Sequence, residues 1–294
     1  MGQDNGEVVN ATVRRWQLTE TLRQLREQAG LTIDQAVARL KQNSGRWSSS
    51  KLSRIETREQ GVRVREVEQL LDLYEVEDVP LRNWVVELAG TAHERGYWLA
   101  LRKDLPEDFH SFLSVESSLI ALRQFETMVF PGLLQTADFV RALVNGAAPG
   151  LSEEIVERRV AARLGRQRIL NREQPLQYHV ILDEAVLERP VGGSRVMRTQ
   201  LRHLLDEATR DHVTIQILPK TAGATPALDG PFSLLTLPDP IPDFGYAEGH
   251  GGGVYIEDRS SVRDCTFKFG ILTERSCSQA DSIALIEQAL QGYS

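Results

Sequence analysis

The chain has 294 residues, 41% hydrophobic and 26% charged, with a net charge of −7. That length predicts two domains, and the ordinary hydrophobic fraction excludes a disordered or collagen-like chain. No run of about 18 apolar residues is present, which excludes a helical membrane span. The opening MGQDNGEVVNATVRRW lacks the apolar core of an export signal and reads, over residues 1–13, as a flexible arm on a cytoplasmic protein.

Four short amphipathic helices are predicted over residues 14–78. The first places Leu18, Leu22, Leu25 and Ala29 on one face and stops at Gly30. The second starts at Thr32, a good N-cap, and turns Ile33, Ala36, Val37 and Leu40 inward. The third, SSSKLSRIETRE, opens on Ser48, Ser49 and Ser50, buries Leu52 and Ile55, and carries Lys51, Arg54 and Arg58. The fourth repeats Val64, Val67, Leu71 and Tyr74. Short helices with short connections fit a helix-turn-helix bundle. Free N–H groups at the third helix's start favour phosphate. Arginine suits a bidentate contact to guanine, and lysine fixes register on phosphates. The plainer reading is that the serines cap the helix and the cations are solvated.

LTIDQAVARL followed by WSSSKLSRIET resembles the Xre-type helix-turn-helix of the Cro/C1-repressor class. The resemblance implies that Ser49, Ser50 and Arg54 read bases, with Ser48 and Lys51 on phosphates; Arg58 is assigned to phosphate as a further cation. It also implies that Glu56 braces the bundle. Two departures stand out. The stretch between Leu40 and Trp47 is about five residues longer than the family's tight turn, and Arg58 occupies a position where glycine is common.

Charge is unevenly distributed. Residues 14–75 carry 12 Lys/Arg against 9 Asp/Glu, a balance of +3, whereas residues 76–294 carry 22 against 30, a balance of −8. A headpiece so mildly basic is expected to need two copies to hold DNA, so a homodimer is expected.

Residues 79–104 read as a connecting helical segment, with Leu81, Trp84, Val85 and Leu88 on one face and a stop at Gly90. Residues 105–294 then form the second domain. Helical patterns are predicted over 97–103 and 111–127, over Leu134 to Asn145 after Pro131 and Gly132, and from Ser152 to about Arg172. Period-two alternation after Pro175 predicts a strand through Leu182, a helix spans Ser194 to Arg210, and Val213, Ile215 and Ile217 predict a second, parallel strand. Three more strands are predicted at 232–237, 244–248 and 254–257, with EGHGGG as a hairpin loop, before closing helices near 260–272 and 278–291. The expected architecture is a two-domain α+β protein. An all-α helix-turn-helix bundle precedes an α+β domain with a mixed sheet of about five strands and flanking helices.

VFPGLLQTADFVRAL, RVAARLGRQRIL, LDEAVLERPVGGSRVMRTQL and VTIQILP resemble the C-terminal domain of unknown function attached to Xre headpieces in actinobacterial regulators of the WhiJ type. The resemblance implies a developmental or antibiotic-production regulator that often acts with a small protein encoded alongside.

Catalytic signatures are absent from the sequence. His93, His110, His179, His203, His212 and His250 show no ligand spacing with one another or with Cys265 and Cys277, so no metal or cofactor is expected. The two cysteines read as buried thiols, and the Asp183–Glu184 pair reads as a helix cap after a strand. No nucleophile elbow or phosphate loop is present, and the chain is not expected to be an enzyme. Two features could bind a partner. Arg159, Arg163 and Arg166 form a stripe on the long helix, where solvation is the plainer reading. Phe130, Leu133 and Leu134 are core residues in the simplest reading and a groove for a peptide or small ligand in the other.

The sequence therefore points to a nucleoid-associated transcriptional regulator that binds a double-stranded DNA operator and is controlled by a small cognate protein or ligand. Two alternatives stand beside it: an antitoxin-like protein that sequesters a small partner and autoregulates its operon, and a small-molecule receptor-repressor.

Overall fold

A computed structural model describes residues 11–43, 46–91, 115–249 and 252–293. They fall into two compact units, a helical one built mainly within Met1–Leu99 and a larger mixed one that includes Leu119–Leu237 and Asp243–Ser294. No described helix is long and apolar enough to cross a membrane. The expected helix over 97–103 and residues 1–10 of the expected 1–13 arm lie outside the described residues, whereas residues 11–13, expected in that arm, form the start of the first helix.

The helical unit contains α1 (Ala11–Gln28), α2 (Ile33–Asn43), α3 (Ser49–Glu56), α4 (Val64–Leu73) and α5 (Val79–Thr91). Helix α1 ends where expected. Gly30 takes φ +66, the Gly30 N–H reaches the Glu27 carbonyl, and the Leu31 N–H reaches that of Arg26. A left-handed residue here lets the last carbonyls find donors without a Cβ penalty. Leu18, Leu22, Val37, Leu40, Leu52, Ile55, Val67 and Leu71 form one core. Helix α5 belongs to that core through Val85, Leu88 and Ala89, and its first turn is capped by Asp78, which accepts from the Leu81 N–H. Residues 79–91, the described part of the stretch read as a connector, thus pack into the bundle core.

The second unit is built on a six-stranded sheet. Its strands are β1 (Ala121–Glu126), β2 (Gln177–Asp183), β3 (Val213–Leu218), β4 (Phe232–Thr236), β5 (Phe244–Gly249) and β6 (Gly252–Ile256), in the order β3-β2-β1-β4-β5-β6. The β1, β2 and β3 strands run parallel, and β4, β5 and β6 join antiparallel. Around it lie α6 (Ala137–Ala147), α7 (Glu153–Arg166), the short α8 (Ala185–Glu188), α9 (Gly193–Glu207), α10 (Arg259–Arg275) and α11 (Gln279–Gly292). As expected, β2 and β3 are parallel strands separated in the chain by a helix, α9.

One expectation is corrected. Residues 121–126 lie inside a stretch read as helix, yet they form β1, between β2 and β4, which makes the sheet six-stranded where about five were expected. Leu122 and Phe125 are both buried, three positions apart, which imitates helical periodicity. In a strand those positions point to opposite faces, and the spacing works because both faces of β1 are covered. Phe125 packs with Ile181, Leu234, Phe269 and Leu272, the last two from α10.

The glycine-rich run is a β5–β6 hairpin, as expected, with Gly249 paired to Gly252. Gly253 packs closely on its strand neighbour, because a Cβ there would collide with the ring and hydroxyl of buried Tyr246. Cys265 and Cys277 are free thiols, half-buried. Asp183 caps α8 by accepting from the Ala185 N–H at 2.9 Å, and Glu184 accepts from the Lys220 N–H at 2.7 Å.

Candidate nucleic-acid interface

Helix α3 begins because Ser48 adopts an extended backbone and its hydroxyl accepts from the Lys51 N–H at 3.1 Å. Leu52 and Ile55 are wholly buried and hold one face of the helix on the bundle core. Ser50 and Arg54 fall on the opposite face, one turn apart, and both are exposed. Among the described residues no hydrogen bond or ion pair engages the Arg54 guanidinium.

The flanks of α3 are tied down on both sides. On the α2 side the Ser49 hydroxyl donates to Asp34 Oδ1 at 2.5 Å. On the α4 side the Lys51 ammonium pairs with Glu66 and sits 4.5 Å above the Trp47 ring. Glu66 also accepts from the Arg63 N–H. Burial pushes the Glu66 carboxyl upward, but the Lys51 hydrogen bond and the Arg63 N–H outweigh it and leave the group below its usual range. Trp47 is itself anchored, with Nε1 donating to Gln69 at 3.0 Å. The expected site residues are therefore divided. Ser50 and Arg54 face outward together, Ser49 is half engaged by Asp34, and Lys51 is held by Glu66. Sequence reasoning passed over Asp34, Trp47 and Glu66. The spacing Arg63–Glu66 resembles a capping pair and could have exposed Glu66; Asp34 left no such signal.

The two family departures have structural answers. Helix α2 is extended to Asn43, and Trp47 anchors the chain again before Ser48. Arg58 takes φ +68, the left-handed conformation in which glycine is free of strain, and its guanidinium stacks 4.5 Å from the Trp16 ring. Arg58 thus replaces a conformationally free residue with one that gains a ring contact. Glu56 braces the bundle, gripped by Arg26 at 2.7 and 2.8 Å.

In the mixed unit the proposed partner residues are largely internal. Phe130, Leu133 and Leu134 are buried, and Phe130 stacks edge-on against Phe139 with centroids 5.2 Å apart. Gln135 and Gln200, two buried amides, stitch this segment in place. The Gln135 amide donates to the Phe130 carbonyl, and Gln200 both donates to the Leu134 carbonyl and accepts from the Thr136 N–H. Arg166 is buried, and Arg163 is half-buried and donates to Gln135 at 3.1 Å; Arg159 is half-buried. The stripe thus runs from the surface into the core.

The same sheet carries a polar chain. Tyr178 donates to Gln124 at 2.6 Å, and Gln124 donates to Glu126 at 2.7 Å. Burial, with a contribution from the Glu248 charge, pushes the Glu126 carboxyl up to about 7. Among the described residues no group of three His, Cys, Asp or Glu side chains is placed to hold a metal ion.

Residues 17–84 match the family model of a helix-turn-helix domain, and residues 109–288 match that of a domain of unknown function, DUF5753. A helix-turn-helix domain is the mark of a DNA-binding regulator. No curated protein and no solved structure matches the chain.

Proposed function

Because the chain belongs to the DUF5753 family and carries a helix-turn-helix domain, we propose that it is a sequence-specific transcriptional regulator, of the Xre and WhiJ kind, that reads DNA with α3. The observation that carries this reading is the exposed Ser50–Arg54 ridge on a helix held rigid from both sides. Asp34 holds Ser49, Glu66 holds Lys51, and the core holds Leu52 and Ile55. A base-reading helix needs such support, because contacts to base edges lose value if the helix shifts by an ångström. Arg54 is assigned to a base edge and Ser50 to a neighbouring one, with Ser48 and Arg58 beside the backbone.

The regulator acts as a homodimer in the cytoplasm, on the nucleoid. The weak +3 balance of residues 14–75 supports this, since few phosphates can be neutralised by one headpiece. The second unit governs dimerisation and response to a small cognate protein or ligand, and the protein has no enzymatic role. Sequence selection from a random duplex pool, with the full chain, tests the reading. A two-fold related site with half-sites about one helical turn apart supports it. Failure to enrich any sequence overturns it.

A further inference from the structure

We infer that Asp34 and Ser49 form a single acceptor pair that selects a base with an amino group in the major groove, cytosine or adenine, at one position of the bound site. The inference rests on the DNA-reading role of α3 and adds a recognition element at a residue of α2.

The hydroxyl of a serine can donate or accept, so by itself it distinguishes bases poorly. Here the hydroxyl proton is committed. Ser49 Oγ lies 2.5 Å from Asp34 Oδ1, and only the serine can be the donor to an ionised carboxylate. What Ser49 offers outward is then its lone pairs. Asp34 is exposed, and among the described residues its second oxygen has no hydrogen-bond partner. Every polar side-chain atom that this pair turns outward is an acceptor.

In the major groove the donors are the amino groups on cytosine N4 and adenine N6, while guanine O6 and N7 and thymine O4 are acceptors. An acceptor pair therefore favours cytosine or adenine and opposes guanine or thymine at its position. The negative charge also argues against a backbone role, since it repels phosphate. Five residues after Ser49, Arg54 is purely a donor and selects the opposite pattern. The interface thus carries an acceptor at one end of α3 and a donor further along, a polarity that fixes reading direction as well as base identity.

The test is selection from a random duplex pool by the full chain and by Asp34→Ala, Asp34→Asn and Ser49→Ala. The unaltered protein enriches cytosine or adenine at one position. Asp34→Ala loses that discrimination by about tenfold, keeps the preference assigned to Arg54, and binds unrelated duplex more tightly because a repelling charge is gone. Asp34→Asn, which adds a donor, broadens the position toward guanine and thymine. Ser49→Ala weakens the same position and no other, and carries the test if the Asp34 variants fold poorly. Unchanged base preferences in folded Asp34→Ala overturn the inference while leaving the DNA-binding role standing. Absence of any enrichment by the unaltered protein overturns both.

Discussion

Arg26 and Glu56 join the first and third helices of the bundle through two parallel hydrogen bonds, Nε to Oε1 at 2.7 Å and Nη2 to Oε2 at 2.8 Å. The third arm of the guanidinium donates to the Leu31 carbonyl at 2.7 Å, just after the α1 turn. With side-chain exposures of 10% and 6%, both charges are largely withdrawn from water. The pair therefore fixes α3, the proposed reading helix, to α1, which contributes Leu18, Leu22 and Leu25 to the apolar core. Glu56→Ala removes both of these bonds from a largely buried guanidinium, leaving it, among the described residues, only the Glu27 carboxylate at 3.5 Å as a charged partner, and is expected to cost about 3–5 kcal/mol. The double replacement Arg26→Met with Glu56→Leu is expected to recover much of it. Denaturant unfolding of the three variants measures both, and simple additivity would show that the two groups are not coupled.

On α3 itself, Arg54 and Lys51 are expected to behave differently. Arg54→Ala should remove discrimination at one base position, a loss of about 1–3 kcal/mol. Lys51→Met should leave the salt dependence of DNA binding nearly unchanged, because its ammonium is already held by Glu66 and Trp47. Its main effect is on stability, through an unpaired Glu66. Binding isotherms across salt concentrations decide this; a slope reduced by about one unit in Lys51→Met would place the lysine on a phosphate instead.

Helix α5 sets where the headpiece can be cut. A fragment of residues 11–91 retains the burial of Val85 and Leu88, whereas one ending at Tyr74 exposes the surface they cover. Losing two such side chains is expected to cost about 3–6 kcal/mol. Thermal unfolding of the two fragments should separate them clearly, and equal midpoints would exclude α5 from the stable core.

Glu126 makes the second unit sensitive to pH. Its folded pKa of about 7 lies above the ordinary carboxylate value of 4.5. The folded state therefore binds a proton more tightly than the unfolded chain. Its contribution is fully present below pH 4.5, falls as pH rises through about 7, and is constant above that. Glu126→Gln mimics the neutral form, so it should stabilise the protein at pH 8 by about 1–3 kcal/mol and have little effect at pH 4.5. Unfolding curves at both pH values check the sign.

The arginine stripe on α7 is not uniform in its consequences. Arg163→Glu breaks the bond to buried Gln135 and is expected to cost about 1–2 kcal/mol. A thermal midpoint insensitive to this change would make Arg163 a surface group and restore the whole stripe as a candidate partner surface.

Much of this architecture was legible in the chain. The apolar spacing of Leu18, Leu22, Leu52 and Ile55, the stop at Gly30 and the cap at Ser48 are local signals, each set by residues within a few positions of one another. The parallel pair of β2 and β3 was equally legible, because a strand, a helix and a strand in succession leave few arrangements. What tertiary structure alone decided depends on partners distant in sequence. Residues 121–126 become a strand because β2 and β4 supply hydrogen bonds on both edges, overriding a helix-like spacing of Leu122 and Phe125. Lys51 and Ser49 looked like free polar groups on a reading helix. Glu66 lies 15 residues from the first and Asp34 lies 15 from the second, and folding brings each pair within bonding distance. Sequence determines which groups can bond, but only the packed chain determines which protons and charges are already committed, and therefore which remain to meet DNA.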